Sequence, residues 1–283
     1  MHLEKPIVIL LILYTVIEVF FGVSYLSIPY WIRYGEFPDV FEFSNTLMRL
    51  FRILAHVLTF IGIFKLVRSK TIELLPVFKF PIYFFVAGSI FWFIASSLSS
   101  KYSFFLLHEN ARWYLYIYKL ISLALLAMIF IHFLRTSKVK SYHEGENVKK
   151  GARLLNWIID SAVILTFGFT NIRILADGFI FEDIPFLNSS PGWFFTLNIL
   201  GYYFILELLF QQTIGKLHNN ATVRYTGTKL RSIFIRTICR FIPFEAFSFF
   251  GKEGWHDMIS NTAVKRSAKH GTGEEEMLEK TMV

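Results

Sequence analysis

The sequence predicts an all-α polytopic membrane protein with six transmembrane helices and a cytoplasmic C-terminal segment that is amphipathic or re-entrant. Of the 283 residues, 54% are hydrophobic and 18% are aromatic, proportions that soluble domains rarely reach. The apolar residues fall in continuous runs of about 20, the length that a membrane-spanning helix needs, whereas a membrane β-barrel shows alternating segments of about ten. The six runs are 6–32, 47–67, 76–98, 113–135, 154–176 and 192–214.

The first run could also be a signal peptide, because Lys5 precedes its apolar residues. However, it continues through residue 32, shows no small-residue cleavage site and carries Glu18 near its middle. Signal peptides have a shorter apolar region and end at such a site. We therefore predict a transmembrane helix, with Glu18 as a candidate proton-relay residue, since carboxylates inside a membrane mark functional sites.

The distribution of charge predicts the orientation of the six helices. Basic residues dominate the connections after the second, fourth and sixth runs, and the alternate connections are acidic or carry few charges. By the positive-inside rule, both termini lie in the cytoplasm. The net charge of +8 is explained by this topology and by contact with anionic lipid headgroups at the cytoplasmic face. No nucleic-acid partner is predicted.

The polar segment 136–152 is the longest interruption between runs and predicts a cytoplasmic linker. It separates a four-helix region, 1–135, from a second unit, 153–266, and the polar end 267–283 is expected to be disordered. Within the second unit, residues 230–250 mix aromatic residues with three arginines and contain Pro243. Such a segment favours an interfacial amphipathic helix or a re-entrant hairpin over a seventh span.

Two carboxylates lie inside the fifth and sixth runs. Asp160 lies about two helical turns inside the apolar stretch, and Arg153 precedes it by seven residues on the same helix face, about 10 Å away along the axis. Glu207 lies at a comparable depth in the sixth run. The two carboxylates could share a proton or hold a cation between them. Alternatively, each could pair with one arginine of the C-terminal segment and fix the assembly.

The sequence lacks the motifs of the common enzyme classes, and we predict a protein that is not an enzyme and carries no cofactor or metal. The single cysteine, Cys239, is expected to be a small apolar core residue. The adjacent pair His256 and Asp257 lacks further ligands at usable spacing. A turn or cap in which Asp257 contacts a basic residue is the stronger interpretation.

Four motifs in order carry a resemblance to a known family: RLLNWIID, ELLFQQTIGK, RTICRFIPFEAFSFF and GWHDMISNT. Residues 147–266, approximately, resemble the RDD family of bacterial membrane proteins, which is named for an arginine and two aspartates. The match would make these Arg153, Asp160 and Asp257. It also covers Thr213, Gly215, Lys216, Arg236, Arg240, His256 and Thr262. The resemblance implies a bacterial inner-membrane protein with a transport role, for which cation/proton exchange is proposed within the family.

Two functional hypotheses follow, and the resemblance favours the first. The first is a secondary transporter that exchanges a monovalent cation for a proton, in which a homo-oligomer or the first four helices complete the pathway. Its ion or proton site would comprise Asp160, Glu207 and Glu18. The supporting or gating residues would be Arg153, Arg236, Arg240, His256, Asp257, Thr213 and Lys216. The second is a membrane scaffold or partner subunit in which the same charges form a structural ion-pair network.

Overall fold

The computed structural model describes the chain in seven segments: 4–21, 39–69, 76–97, 113–136, 146–176, 192–241 and 254–266. These segments form α-helices for the most part. The helices are α1 (Glu4–Phe21), α2 (Val40–Ser69), α3 (Lys79–Ser97), α4 (Trp113–Thr136), α5 (Lys150–Ala176), α6 (Gly192–Phe210), α7 (Lys229–Cys239) and α8 (Trp255–Ile259). Short 3-10 helices lie at Pro76–Phe78 and Ile214–Asn219, and the strands are β1 (Glu146–Asn147), β2 (Ala221–Tyr225) and β3 (Thr262–Arg266).

Five of the described helices, α2 to α6, contain stretches long and apolar enough to cross a membrane: Glu42–Arg68, Pro76–Ala95, Ile117–Arg135, Lys150–Asn171 and Gly192–Phe210. The prediction of a helical membrane protein is confirmed at this level. Helix α1 covers the first part of the first predicted run, and residues 22–32 of that run lie outside the described segments. The sixth span therefore stays a prediction.

Helix α3 forms the centre of the core. It packs against α2, α5 and α6, and Ile82, Val86 and Phe91 on it are completely buried. The ring of Phe91 stacks on Phe167 of α5, with centroids 5.1 Å apart. Aromatic rings bury large apolar areas and gain further energy from such pairing. The α3 sequence thus positions α5 and α6 side by side, and these two helices carry the candidate site.

A three-stranded antiparallel sheet in the order β1-β3-β2 was not predicted. Its central strand, β3, aligns Val264 with Val223 of β2, while Asn147 of β1 pairs with Lys265. Strand β1 lies within the segment predicted as a linker, and residues 137–145 of that segment lie outside the described chain. The sheet connects the chain before α5 with the chain after α6.

Helix α7 is amphipathic, and its buried face carries Ile233 and Cys239 together with three polar side chains. Ser232, Arg236 and Thr237 face the protein, and an apolar stripe at helical spacing is exposed. The stripe consists of Leu230, Phe234, Ile238 and Phe241. An outward apolar stripe suits contact with lipid acyl chains. The position of α7 relative to the membrane stays a prediction, because residues 242–250 and the 267–283 tail lie outside the described segments. Cys239 is buried.

Candidate functional site

The predicted site residues other than Glu18 lie together where α5 and α6 meet the chain after α6. Helix α5 supplies Arg153 and Asp160, α6 supplies Glu207, and Thr213 and Lys216 lie at the 3-10 helix that follows. Helices α7 and α8 supply Arg236, Arg240, His256 and Asp257. All are buried except Arg240, which is half-buried. We call this group the charge cluster.

Glu207 is fully buried and contacts three basic groups. Its Oε1 atom lies 2.5 Å from Lys216 Nζ and 2.6 Å from Arg240 Nη2, and its Oε2 atom accepts a 3.0 Å hydrogen bond from Arg236 Nε. The free-energy cost of removing a carboxylate from water is compensated only when such partners bind both of its oxygens. The contacts thus explain how Glu207 is accommodated at the end of a membrane helix.

Arg236 connects Glu207 with Asp257 and is almost completely buried. Its Nη1 atom donates to Oδ1 of Asp257 and to Oγ1 of Thr262, the latter at 2.9 Å. The other oxygen of Asp257 lies 3.6 Å from Arg153 Nη1. One guanidinium therefore links α6, α7, α8 and β3, which the rigid fork of donors on arginine makes possible.

Asp160 is held by neutral donors. Its Oδ1 atom accepts hydrogen bonds from the Tyr202 hydroxyl at 2.6 Å and from the backbone N–H of Gly215 at 2.7 Å, and its Oδ2 atom accepts one from Thr213 at 2.7 Å. Within the described part of the chain, Asp160 forms no salt bridge. The expectation that each carboxylate pairs with an arginine therefore holds for Glu207 and is wrong for Asp160.

Gly215 allows the 3-10 helix to approach α5 closely. A Cβ atom at this position would lie 2.8 Å from Cγ of Asp160 and would also collide with the carbonyl oxygen of Asn156. Only a residue without a side chain fits such a close approach. The sequence motif around Gly215 thus has a steric role, and Gly215 also supplies one of the donors to Asp160.

Sequence reasoning missed several members of the site. Tyr202 binds Asp160, and the ring of Tyr203 lies 3.5 Å from the Arg240 guanidinium in a cation–π contact. Neither tyrosine differs in sequence from the many aromatic residues of the apolar runs. A signal does exist in the helical spacing, because Tyr203 and Glu207 are one turn apart on α6 and so share a face.

Glu18 belongs to a different part of the molecule. Its carboxylate lies 3.8 Å from both Arg52 Nη1 and His56 Nε2 on α2. Helix α1 packs mainly against α4 and α2, and Tyr14 of α1 accepts a 2.8 Å hydrogen bond from Tyr118 of α4. A polar path from Glu18 to the charge cluster would need α1 to pack beside α5 and α6. Among the described residues, α1 packs mainly against α4 and α2 instead.

The charge cluster borders a cavity of about 480 Å³, a volume typical of small-molecule sites. Its basic lining residues are Arg153, Lys216, Arg236 and Arg240, and its acidic ones are Asp160 and Asp257. The apolar part of the wall includes Trp157, Ile164, Leu165, Ile199 and Phe241. Among the described residues, therefore, the lining carries more positive than negative charge. Three of these basic groups, those of Lys216, Arg236 and Arg240, contact Glu207, and its carboxylate offsets part of their charge.

Burial and neighbouring charges shift two groups of the cluster outside the membrane helices. Burial lowers the pKa of Lys216 to about 8, and the Glu207 carboxylate opposes that shift. Burial also lowers the pKa of His256 well below its ordinary value, and Arg236 and Arg240 lower it further. At neutral pH, His256 is thus uncharged while Lys216 keeps its proton.

Comparison of the chain with family models, curated proteins and solved structures found no match. The fold and the charge cluster themselves define the class of protein: an integral membrane protein of mostly α-helical structure with a buried group of charged side chains. The resemblance to the RDD family rests on the motif residues and stays a prediction.

Proposed function

We propose that the charge cluster is a structural ion-pair network and that the protein acts as a membrane scaffold or partner subunit. The network would dock residues 211–241 and 254–266 onto the transmembrane helices. On this proposal the protein is a member of the RDD family in a bacterial inner membrane, as its motifs indicate, with both termini in the cytoplasm.

The observation that carries this proposal is the set of contacts around Glu207. Both of its oxygens already bind basic groups, and those groups come from the 3-10 helix and from α7. A carboxylate that exchanges cations needs an oxygen that can release its partners in each cycle. Three simultaneous charge-assisted contacts instead favour a permanent link between elements.

Charge-neutralising variants of Glu207 and Arg240 test this link. We expect Glu207→Gln to lower the free energy of unfolding by about 3–5 kcal/mol, because it leaves buried basic groups without their counter-charge. The double variant Glu207→Gln with Arg240→Gln should recover part of that loss. Thermal unfolding of the purified protein and limited proteolysis of residues 229–266 would measure docking. Glu146→Gln, at an exposed position of β1, is the matched control.

If Glu207→Gln leaves both the unfolding temperature and the proteolysis pattern at wild-type values, the network does not hold the C-terminal segment and the scaffold proposal is wrong. If the double variant also keeps the wild-type unfolding temperature and proteolysis pattern while Glu146→Gln lowers the unfolding temperature strongly, the sheet and not the network docks the C-terminal segment.

Cation/proton exchange is the second candidate function, and one observation favours it. Asp160 is a buried membrane carboxylate that forms no salt bridge within the described residues, and such a group could take up and release a proton. Flux in proteoliposomes, driven by sodium, lithium or potassium, distinguishes the two. Exchange that disappears in folded Asp160→Asn protein would replace the scaffold proposal.

A further inference from the structure

We infer that the outward faces of α7 and α8 insert into the bilayer leaflet beside the charge cluster, so that lipid acyl chains are the partner of this surface. The sequence predicts this leaflet to be the cytoplasmic one. We call the surface the interfacial face, and it consists of Leu230, Phe234, Ile238, Trp255, Met258 and Ile259. The inference rests on the proposed docking of the C-terminal segment, because docking holds α7 and α8 beside the membrane helices.

The apolar stripe of α7 has a regular spacing along the helix. Leu230, Phe234 and Ile238 are 59%, 53% and 49% exposed, and residues four apart in a helix lie on the same face. The buried face of α7 carries Arg236, which binds Glu207. A helix that separates protein from water turns its apolar side chains inward. This stripe faces outward instead, as it does in a helix that contacts lipid.

Helix α8 has an outward apolar face of the same kind. It packs against α7, and its exposed residues Trp255, Met258 and Ile259 have the spacing i, i+3 and i+4 that places them on one side of the helix. Tryptophan is enriched at the boundary between lipid and water. Both short helices thus direct charged or polar side chains toward the cluster and large apolar ones away from the protein.

A ring contact gives the depth of α7 in the membrane. The ring of Phe234 meets that of Phe204 of α6 edge to face, with centroids 6.1 Å apart. Phe204 precedes Phe210, the last residue of the membrane-length stretch of α6, by six residues, which is about 9 Å along the axis. The stripe of α7 therefore lies beside the end of the span and not beyond it, where the outer surface of a membrane helix contacts lipid.

The ion pair of α8 gives a second and independent depth. Oδ2 of Asp257 lies 3.6 Å from Nη1 of Arg153, and Arg153 lies three residues, about 4.5 Å, inside the membrane-length stretch of α5 that begins at Lys150. Leu154 and Ile158, which follow Arg153 on α5, are also exposed, so the outer surface of α5 is apolar at this level. Interfacial helices bury their apolar faces to a depth of about 5–10 Å, and the positions of α7 and α8 agree with that range.

Spin labels on the full-length protein in liposomes of phosphatidylethanolamine and phosphatidylglycerol test the inference. In a Cys239→Ala background, Phe234→Cys and Met258→Cys place labels on the interfacial face. Glu146→Cys, at an exposed position of β1, is the matched control. Electron paramagnetic resonance compares collisions with oxygen, which concentrates among acyl chains, and with a nickel chelate, which stays in water. We expect oxygen to reach the first two labels, at a depth of about 5–10 Å, and the nickel chelate to reach the third.

Two outcomes would overturn the inference. If the nickel chelate reaches the Phe234→Cys and Met258→Cys labels as readily as the Glu146→Cys label, the interfacial face lies in water. If neither reagent reaches them, protein and not lipid covers the face, and spin–spin broadening would identify a second copy of the chain as the cover. Should Phe234→Cys not fold, Leu230→Cys labels the same stripe and keeps the contact of Phe234 with Phe204.

The unfolding temperature separates this inference from the docking proposal. Labels in water, combined with a strong loss of unfolding temperature in Glu207→Gln, would refute the interfacial face and leave the docking proposal standing. Labels in lipid, combined with a wild-type unfolding temperature and proteolysis pattern in Glu207→Gln, would refute the docking proposal alone. Labels in lipid together with the loss in Glu207→Gln would support both.

Discussion

Asp160 and Glu207 lie on neighbouring helices, and different chemistry stabilises each of them. Glu207 is surrounded by positive charge, whereas Asp160 accepts hydrogen bonds from two hydroxyl groups and one backbone N–H. Substitutions at the two positions therefore have different consequences. Loss of the Glu207 carboxylate leaves buried basic groups without their counter-charge. Loss of the Asp160 carboxylate leaves three hydrogen-bond donors without their acceptor.

The donors around Asp160 predict the outcome of two substitutions there. In Asp160→Asn, the amide oxygen can keep the bonds from Tyr202 and Gly215, and the Thr213 hydroxyl can rotate to accept from the amide nitrogen. We expect a loss of about 1 kcal/mol in the free energy of unfolding, against about 3 kcal/mol for Asp160→Ala, which leaves all three donors without an acceptor. Denaturant unfolding measures both. Equal losses would show that the charge of Asp160, and not its acceptor atoms, matters.

His256 predicts a dependence of stability on pH. Its pKa in the folded protein lies well below the ordinary value of 6.5, so below that pH the unfolded chain takes up a proton that the folded protein does not. The free energy of unfolding should therefore fall with decreasing pH, by up to about 1.4 kcal/mol per pH unit. His256→Gln should flatten the change in unfolding temperature from about pH 7 to about pH 5. Parallel curves for the two proteins would contradict the prediction.

The close packing of the 3-10 helix on α5 depends on one glycine. Gly215→Ala would introduce a Cβ atom against Asp160 and the Asn156 carbonyl. We expect a loss of about 1–3 kcal/mol in the free energy of unfolding, the usual cost of overpacking. Gly151→Ala is the matched control, because nothing lies within 4 Å of its Cβ position, and it should be neutral or stabilising by up to about 1 kcal/mol. Calorimetry measures the change in the free energy of unfolding for both variants. Equal changes in Gly215→Ala and Gly151→Ala would refute the steric role of Gly215.

The helices could be predicted from the sequence because each depends on a local pattern. A continuous apolar run specifies a membrane helix regardless of what surrounds it, and five of the predicted runs have helices of sufficient length in the structure. The sheet could not be predicted in this way. Its strands of two and five residues are short, and they come from distant parts of the chain, so that only the docked arrangement brings them together.

The sequence was sufficient to predict most of the charged residues of the candidate site, but not which partner each of them contacts. Charged residues inside apolar runs are costly enough to indicate a cluster from sequence alone. Which partner each one binds depends on how α7 and α8 pack, and no local pattern encodes that. Tyr202 shows the difference, because a tyrosine in an aromatic run gives no sign that its hydroxyl binds Asp160.

The orientation of the protein as a whole stays a prediction that labelling can test. The segment before α5 is expected in the cytoplasm and the start of α6 on the opposite side. In a Cys239→Ala background, a cysteine at Glu146 should react with an impermeant reagent only from the cytoplasmic side. A cysteine at Gly192 should react only from the other side. Both positions are exposed, and of the membrane-length helices only α5 lies between them, so reaction of both from the same side would contradict the prediction that α5 crosses the membrane.

The connection between Glu207 and α7 has a consequence for the biogenesis of the protein. Lys216 follows Glu207 by nine residues, but Arg236 and Arg240 follow it by 29 and 33. During translation, α6 is complete before either arginine has been added to the chain. A ribosome that stalls in this interval leaves a membrane helix whose acidic side chain has one partner instead of three, a recognisable substrate for proteolytic quality control. Translation through Arg240, rather than insertion of α6, is thus the step that completes the contacts of Glu207.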